Sequence, residues 1–190
     1  MAAIHAPASP TTAAVTEHPP GDRAEDLRIG DFLLTGVTQQ GIVSRAIKLG
    51  ALLRRYDGAY QRFSHAALVI DANGTLAEAL AHGVCESPIS KYDAHNYRIV
   101  RTQVDEHDQA QVRAFADSVL GARRNGYGYA TIAGLALYCV TGGQMCIQKA
   151  GTAICSGFVS DALTRAGYIW ERPPFAMMPA DLAEAFDVRY

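Results

Sequence analysis

Two short apolar runs, His65-Ala66-Ala67-Leu68-Val69-Ile70 and Thr75-Leu76-Ala77-Glu78-Ala79-Leu80, are separated by Asp71-Ala72-Asn73-Gly74. An Asn-Gly pair between two such runs is a strong short-range hairpin signal, so the segment predicts two antiparallel strands. The loop length then fixes which residues face each other. With a four-residue loop Ile70 faces Thr75, His65 faces Leu80 and Glu78 faces Ala67. Successive side chains of a strand alternate between faces, so His65, Ala67 and Val69 share one. Glu78 stands on that same face two residues along, at a diagonal Cα separation of about 7 Å, within reach of an imidazole. A carboxylate placed there accepts one ring N–H and fixes the tautomer. A tight two-residue loop would instead bring His82 opposite His65 and move Glu78 further off, which makes His82 the rival orienting residue. Without such a partner, a histidine opening a strand reads as structural.

The remaining pattern predicts an α+β fold, with an antiparallel sheet packed against a helix that begins at Cys155. A turn at Leu27-Arg28-Ile29-Gly30-Asp31 feeds a first strand, Phe32-Leu33-Leu34. Ile42, Val43, Ala46 and Ile47 recur at helical spacing within residues 41–53. A further strand is expected at residues 97–100, after a turn-like stretch at 91–96. Asp105 can cap a helix to about Leu120, with Val112, Phe115, Ala116 and Val119 on one face and Gly121 at its end. Asn125-Gly126-Tyr127-Gly128-Tyr129 then leads into the apolar run 131–140, read as a buried helix. From Cys155, the residues Phe158, Val159, Ala162, Leu163 and Ala166 form an apolar stripe that Gly167 ends. Residues 1–25 are rich in Pro, Ala and Thr, lack apolar periodicity and read as a disordered tail, leaving residues 26–190 as one domain.

Composition narrows the function classes. The 190 residues are 49% hydrophobic and 19% charged, enough to bury one core, which excludes collagen, coiled coil and disorder over the whole length. Seventeen Lys+Arg against 19 Asp+Glu, with no basic cluster, give no footprint for a phosphate backbone, so no nucleic-acid partner is expected. The longest apolar stretch, residues 130–140, falls short of the roughly 20 residues of a membrane span. Cys85, Cys139, Cys146 and Cys155 are scattered without C-x-x-C spacing and are expected to be reduced. Residues 1–25 show no basic segment followed by an apolar core of a Sec signal, so the expected location is cytoplasmic, or exported without a cleavable signal peptide.

The chemistry converges on Cys155. A cysteine in the first turn of a helix meets unpaired backbone N–H groups and the positive end of the helix dipole, which favour thiolate. The plain alternative is a small buried apolar residue. With His65 as base and Glu78 as orienter, Cys155 would complete a set suited to acyl transfer. The imidazole takes the thiol proton, the thiolate attacks a carbonyl, and the imidazolium protonates the leaving group. The Cys155 backbone N–H could also serve the oxyanion. Tyr127 and Tyr129 are candidates to hydrogen-bond a substrate carbonyl, or packing aromatics. Ser64 is a substrate-contact candidate; it and Ser156 flank the pair and could equally cap local backbone. His82, Cys85, His95 and His107 lack zinc-ligand spacing, and Gly126 and Gly128 lack a following Gly-Lys-Ser/Thr, so neither a metal nor another cofactor is expected.

At these residues the chain resembles the permuted papain-like hydrolases of the NlpC superfamily, including lecithin:retinol acyltransferase-like proteins and bacterial relatives. The resemblance is carried by Gly30-Asp31 before an apolar strand, by Phe63-Ser64-His65-Ala66-Ala67-Leu68-Val69-Ile70, and by the next strand bearing Glu78. It continues in Ala153-Ile154-Cys155-Ser156-Gly157-Phe158-Val159-Ser160-Asp161-Ala162-Leu163 and closes in Pro179-Ala180-Asp181-Leu182. The segment 130–151 departs from the family pattern. The resemblance implies Cys155 as nucleophile, His65 as base and Glu78 as the third member. It also implies one of two substrates. Permuted members favour acyl esters or thioesters of lipids, whereas other members cut amide bonds of cell-wall peptides. The apolar run 131–140 suits an acyl-chain pocket, a membrane-facing lid with peripheral membrane contact, or an ordinary core helix. Two further readings concern use of the scaffold: a secreted effector with an immunity or chaperone protein as partner, and a non-catalytic binding module.

Overall fold

The expected hairpin forms with the four-residue loop. In the computed structural model, which describes residues 13–36, 56–80, 83–121 and 155–190, strand β3 (His65–Val69) pairs antiparallel with β4 (Thr75–Leu80). Leu68 faces Ala77, Val69 faces Leu76, and the Ile70 N–H donates to the Thr75 carbonyl at 2.9 Å. Asp71 Oδ1 accepts the N–H groups of Asn73 and Thr75, each at 2.9 Å, closing the loop from within. Gly74 has φ +85°, and a Cβ there would sit 2.7 Å from Ile89 Cγ2, so the turn needs glycine for its backbone and for its neighbour.

Four more strands extend the hairpin: β1 (Ala14–His18), β2 (Phe32–Thr35), β5 (Gly83–Pro88) and β6 (Tyr97–Arg101). The six strands lie in the order β1-β6-β2-β3-β4-β5 with every neighbouring pair antiparallel. Among the described residues the helices are α1 (Gly58–Gln61), α2 (Glu106–Gly121), α3 (Cys155–Arg165) and α4 (Pro179–Ala185), with 3₁₀ turns at Ile89–Tyr92 and Pro174–Ala176. The molecule is therefore α+β. Asp105 Oδ1 accepts the Asp108 N–H at 2.9 Å, the cap its position suggested. Gly167, at φ +80°, ends α3: its N–H bonds the Thr164 carbonyl and the Tyr168 N–H bonds that of Leu163, each at 3.1 Å. No helix among the described residues is long and apolar enough to cross a membrane.

The tail assignment needs correction. Residues 14–18 are not disordered but form an edge strand whose register runs from Ala14 opposite Arg101 to His18 opposite Tyr97. The His18 ring stacks on Tyr97 at 5.0 Å, the Tyr97 hydroxyl accepts the Ala24 N–H at 3.0 Å, and the Gly21 N–H reaches the Asp93 carbonyl at 2.6 Å. This strand buries almost none of its side chains and is held through its backbone, so apolar periodicity could not reveal it. Strand β5 escaped detection for a similar reason, being an edge strand of half-exposed residues that ends in Pro88. The helix expected at 41–53, the run 131–140 and the segment 130–151 lie outside the described residues.

Both faces of the sheet are covered, which is why β3 reads as an unbroken apolar run. On one face Phe32, Leu34, Ala66, Leu68 and Val100 pack with Val112 and Ala116 of α2, Phe158, Val159 and Leu163 of α3, and Leu182 of α4. On the other, Leu33, Ala67, Val69, Leu76 and Ile99 lie under Leu27, Ile89 and Tyr92. The first turn of α3 is clamped from behind. A Cβ on Gly157 would meet the Pro174 carbonyl oxygen at 2.9 Å, and Ser156 Oγ donates to the Met177 carbonyl at 2.7 Å. The Pro174–Ala176 turn thus rests directly on the helix end that carries Cys155.

Candidate active site

Cys155 begins α3 and His65 begins β3, and the packing of that helix on that strand brings the two residues together. Cys155 is 3% exposed. The His65 side chain and the backbone N–H groups of Ala66 and Ser156 lie near enough to its sulfur to favour the charged form. The His65 Nε2–H donates to Glu78 Oε2 at 2.8 Å, which leaves Nδ1 as the ring nitrogen for the sulfur. Thiol, imidazole and carboxylate are thus gathered in that order, with the imidazole hydrogen-bonded to the carboxylate and beside the thiol.

Glu78 is fully buried, at 0% exposure, and its oxygens are saturated with donors. The Tyr92 hydroxyl donates to Oε2 at 2.6 Å, Lys91 Nζ lies 3.0 Å from Oε1 and 3.2 Å from Oε2, and Ser87 Oγ donates to Oε1. The Tyr92 ring also stacks against His65, centroids 6.3 Å apart and planes inclined by 20°. Cys85 stands opposite Glu78 in the β4–β5 register.

Charge is distributed accordingly. Burial pushes the Glu78 carboxyl up, but the bonds from His65, Tyr92 and Lys91 and the charge of His65 prevail and hold it down at about 2. Burial pushes His65 down, yet the Cys155 sulfur and the Glu78 carboxylate outweigh it and raise the imidazole to about 9. Burial also pushes the Cys155 thiol up, and the His65 cation, its hydrogen bond and the two backbone donors carry it below the ordinary thiol range. These directions favour a thiolate beside an imidazolium. Burial and the Glu78 charge push the Tyr92 phenol and the Cys85 thiol up, so both keep their protons.

Comparison with family models, with curated proteins and with solved structures gives no significant match. The geometry of the site itself carries the functional reading.

Among the residues singled out in the sequence, Cys155, His65 and Glu78 come together. Ser64 is buried beside them, its Oγ donating to the Gly36 carbonyl at 3.1 Å and its N–H to the Thr35 carbonyl at 3.0 Å, so it ties the end of β2 to the start of β3. Tyr127, Tyr129 and His82 lie outside the described residues, and the hairpin register is the one that sets Glu78 within hydrogen-bond reach of His65. Sequence reasoning missed Ser87, Lys91 and Tyr92. The β4–β5 register sets Cys85 and Ser87 on the Glu78 face, an alternation legible only once β5 is known to be a strand.

Proposed function

We propose that the chain is a cysteine hydrolase or acyltransferase that works through an acyl-enzyme on Cys155. The observation that carries this reading is a helix-terminal thiol beside His65, whose ring is hydrogen-bonded to a fully buried carboxylate. The Cys155 thiolate attacks an acyl carbonyl carbon, and the electron pair of its π bond moves to the oxygen. Collapse of that tetrahedral adduct expels the leaving group, which takes the proton held on His65. The product is a thioester. Water or a second nucleophile then attacks it, His65 accepting the proton, and the sulfur departs as thiolate. Glu78 holds the ring in place and stabilises its cation through both half-reactions.

The fold that this proposal assigns is the permuted papain-like fold of the NlpC superfamily, supported by the chain order His65, Glu78, Cys155 and by a cysteine helix packed on an antiparallel sheet. The permuted order directs the substrate towards acyl esters or thioesters of lipids. The test is incubation with phospholipid vesicles and, separately, with soluble muropeptide, followed by intact-mass and peptide mapping. Acyl lipid is expected to leave an acyl mass on Cys155 that is absent in Cys155→Ala. Adducts or cleavage with muropeptide alone would place the activity among cell-wall amidases. Absence of reaction with either, from a Cys155 no more reactive than Cys85, would leave a binding module.

A further inference from the structure

Orienting an imidazole takes one carboxylate oxygen, but Glu78 is gripped on both, and one of its partners carries a full charge. The 3₁₀ turn Ile89–Tyr92 sets Lys91 Nζ 3.0 Å from Oε1 and 3.2 Å from Oε2, while the adjacent Tyr92 donates to Oε2 and lays its ring on His65. Lys91 Nζ also lies 5.5 Å from the centre of the Tyr92 ring. The carboxylate is therefore shared between two cations, the imidazolium on β3 and the ammonium on the turn. Among the described residues, the titratable groups facing this carboxylate are His65 from β3, Cys85 from β5, and Lys91 and Tyr92 from the turn, with Cys155 of α3 joined through His65.

We propose that Lys91 is a positioning residue that pins Glu78 against His65 and sets the pH at which the Cys155–His65 pair ionises. This rests on the reading of Cys155 and His65 given above, and Lys91 acts through Glu78 without contacting the reacting atoms. A fixed positive charge behind the carboxylate has two effects of known sign. It draws part of the carboxylate's field away from the imidazolium, which then releases its proton more readily, and it favours the thiolate over the thiol. Removing the charge moves both ionisations to higher pH.

The experiment is the rate of iodoacetamide alkylation of Cys155 across pH 4 to 9 in the full chain, followed by peptide mapping, for wild type, Lys91→Met, Lys91→Gln and Lys91→Arg. Lys91 is 35% exposed at its side chain, so these changes fall at the rim of the core, and the Gln variant carries the test should the Met variant fail to fold. The rise in rate is expected to move up by about one pH unit in Met and Gln, and to stay at the wild-type position in Arg, which keeps the charge. A merely structural lysine would change thermal stability and leave this rise where it is. An unmoved rise in the folded neutral variants, or an equal displacement in Lys91→Arg, overturns the proposal. A wild-type profile of an ordinary thiol would overturn the Cys155–His65 reading itself, and this proposal with it, whereas a low-pH rise indifferent to Lys91 removes only the role of Lys91.

Discussion

Cys155→Ala is expected to lower acyl-transfer turnover by roughly a thousandfold or more while the fold persists. In the proposed mechanism its sulfur is the one atom that bonds to the substrate, so no neighbour can take over its step. The remaining described cysteine, Cys85, is half-buried opposite Glu78 and is held protonated by burial and by that carboxylate, which makes it a poor substitute. The stability cost is small, on the order of 1 kcal/mol, because only one atom leaves and the His65 ring keeps its bond to Glu78. Turnover of an acyl ester presented on vesicles, with thermal unfolding measured on the same samples, checks both halves. Activity within tenfold of wild type would move the nucleophile elsewhere, and loss of the fold would make Cys155 an ordinary packing residue.

Changes at Glu78 should damage stability and turnover together. Glu78→Leu leaves the donors of His65, Tyr92 and Ser87 aimed at hydrocarbon, at a cost of about 3 kcal/mol. Glu78→Gln keeps the shape but turns an NH2 group towards groups that already donate. It is expected to lower turnover by roughly a hundredfold, less than loss of Cys155 or His65. The pH dependence follows from the carboxyl being held at about 2 in the folded chain against an ordinary value of 4.5. Its contribution is complete above about pH 4.5 and is lost as pH falls towards 2. Urea unfolding between pH 2 and 7 should therefore show a steeper acid decline in wild type than in Glu78→Leu. Parallel declines would show that Glu78 is not ionised against its neighbours in the fold.

What the sequence could reveal was set by how local each feature is. The hairpin at residues 65–80 was legible because Asn73-Gly74 and the flanking runs encode both turn and register within a few residues, and that register put Glu78 beside His65. The helix at Cys155 was legible from its apolar stripe and Gly167. Strand β1 was not, since its side chains face solvent and its partner Tyr97–Arg101 lies some 80 residues away. Lys91 and Tyr92 looked like turn residues, and they are: their contact with Glu78 arises only because the short 3₁₀ turn folds back over β4. Likewise, nothing local marks Gly157 as necessary until the Pro174 carbonyl is found against it.

Whether His65 makes Cys155 a thiolate is read from the alkylation of Cys155 by iodoacetamide in wild type and in His65→Ala. Across pH 4 to 9, with each cysteine resolved by peptide mapping, wild-type Cys155 should react well below the pH at which a free thiol, with a pKa of about 8.5, becomes reactive. In His65→Ala its reactivity should retreat to that range or above it, because burial then acts without the neighbouring cation. Labelling of Cys155 no faster than that of the other cysteines, and unchanged by loss of His65, would contradict the account.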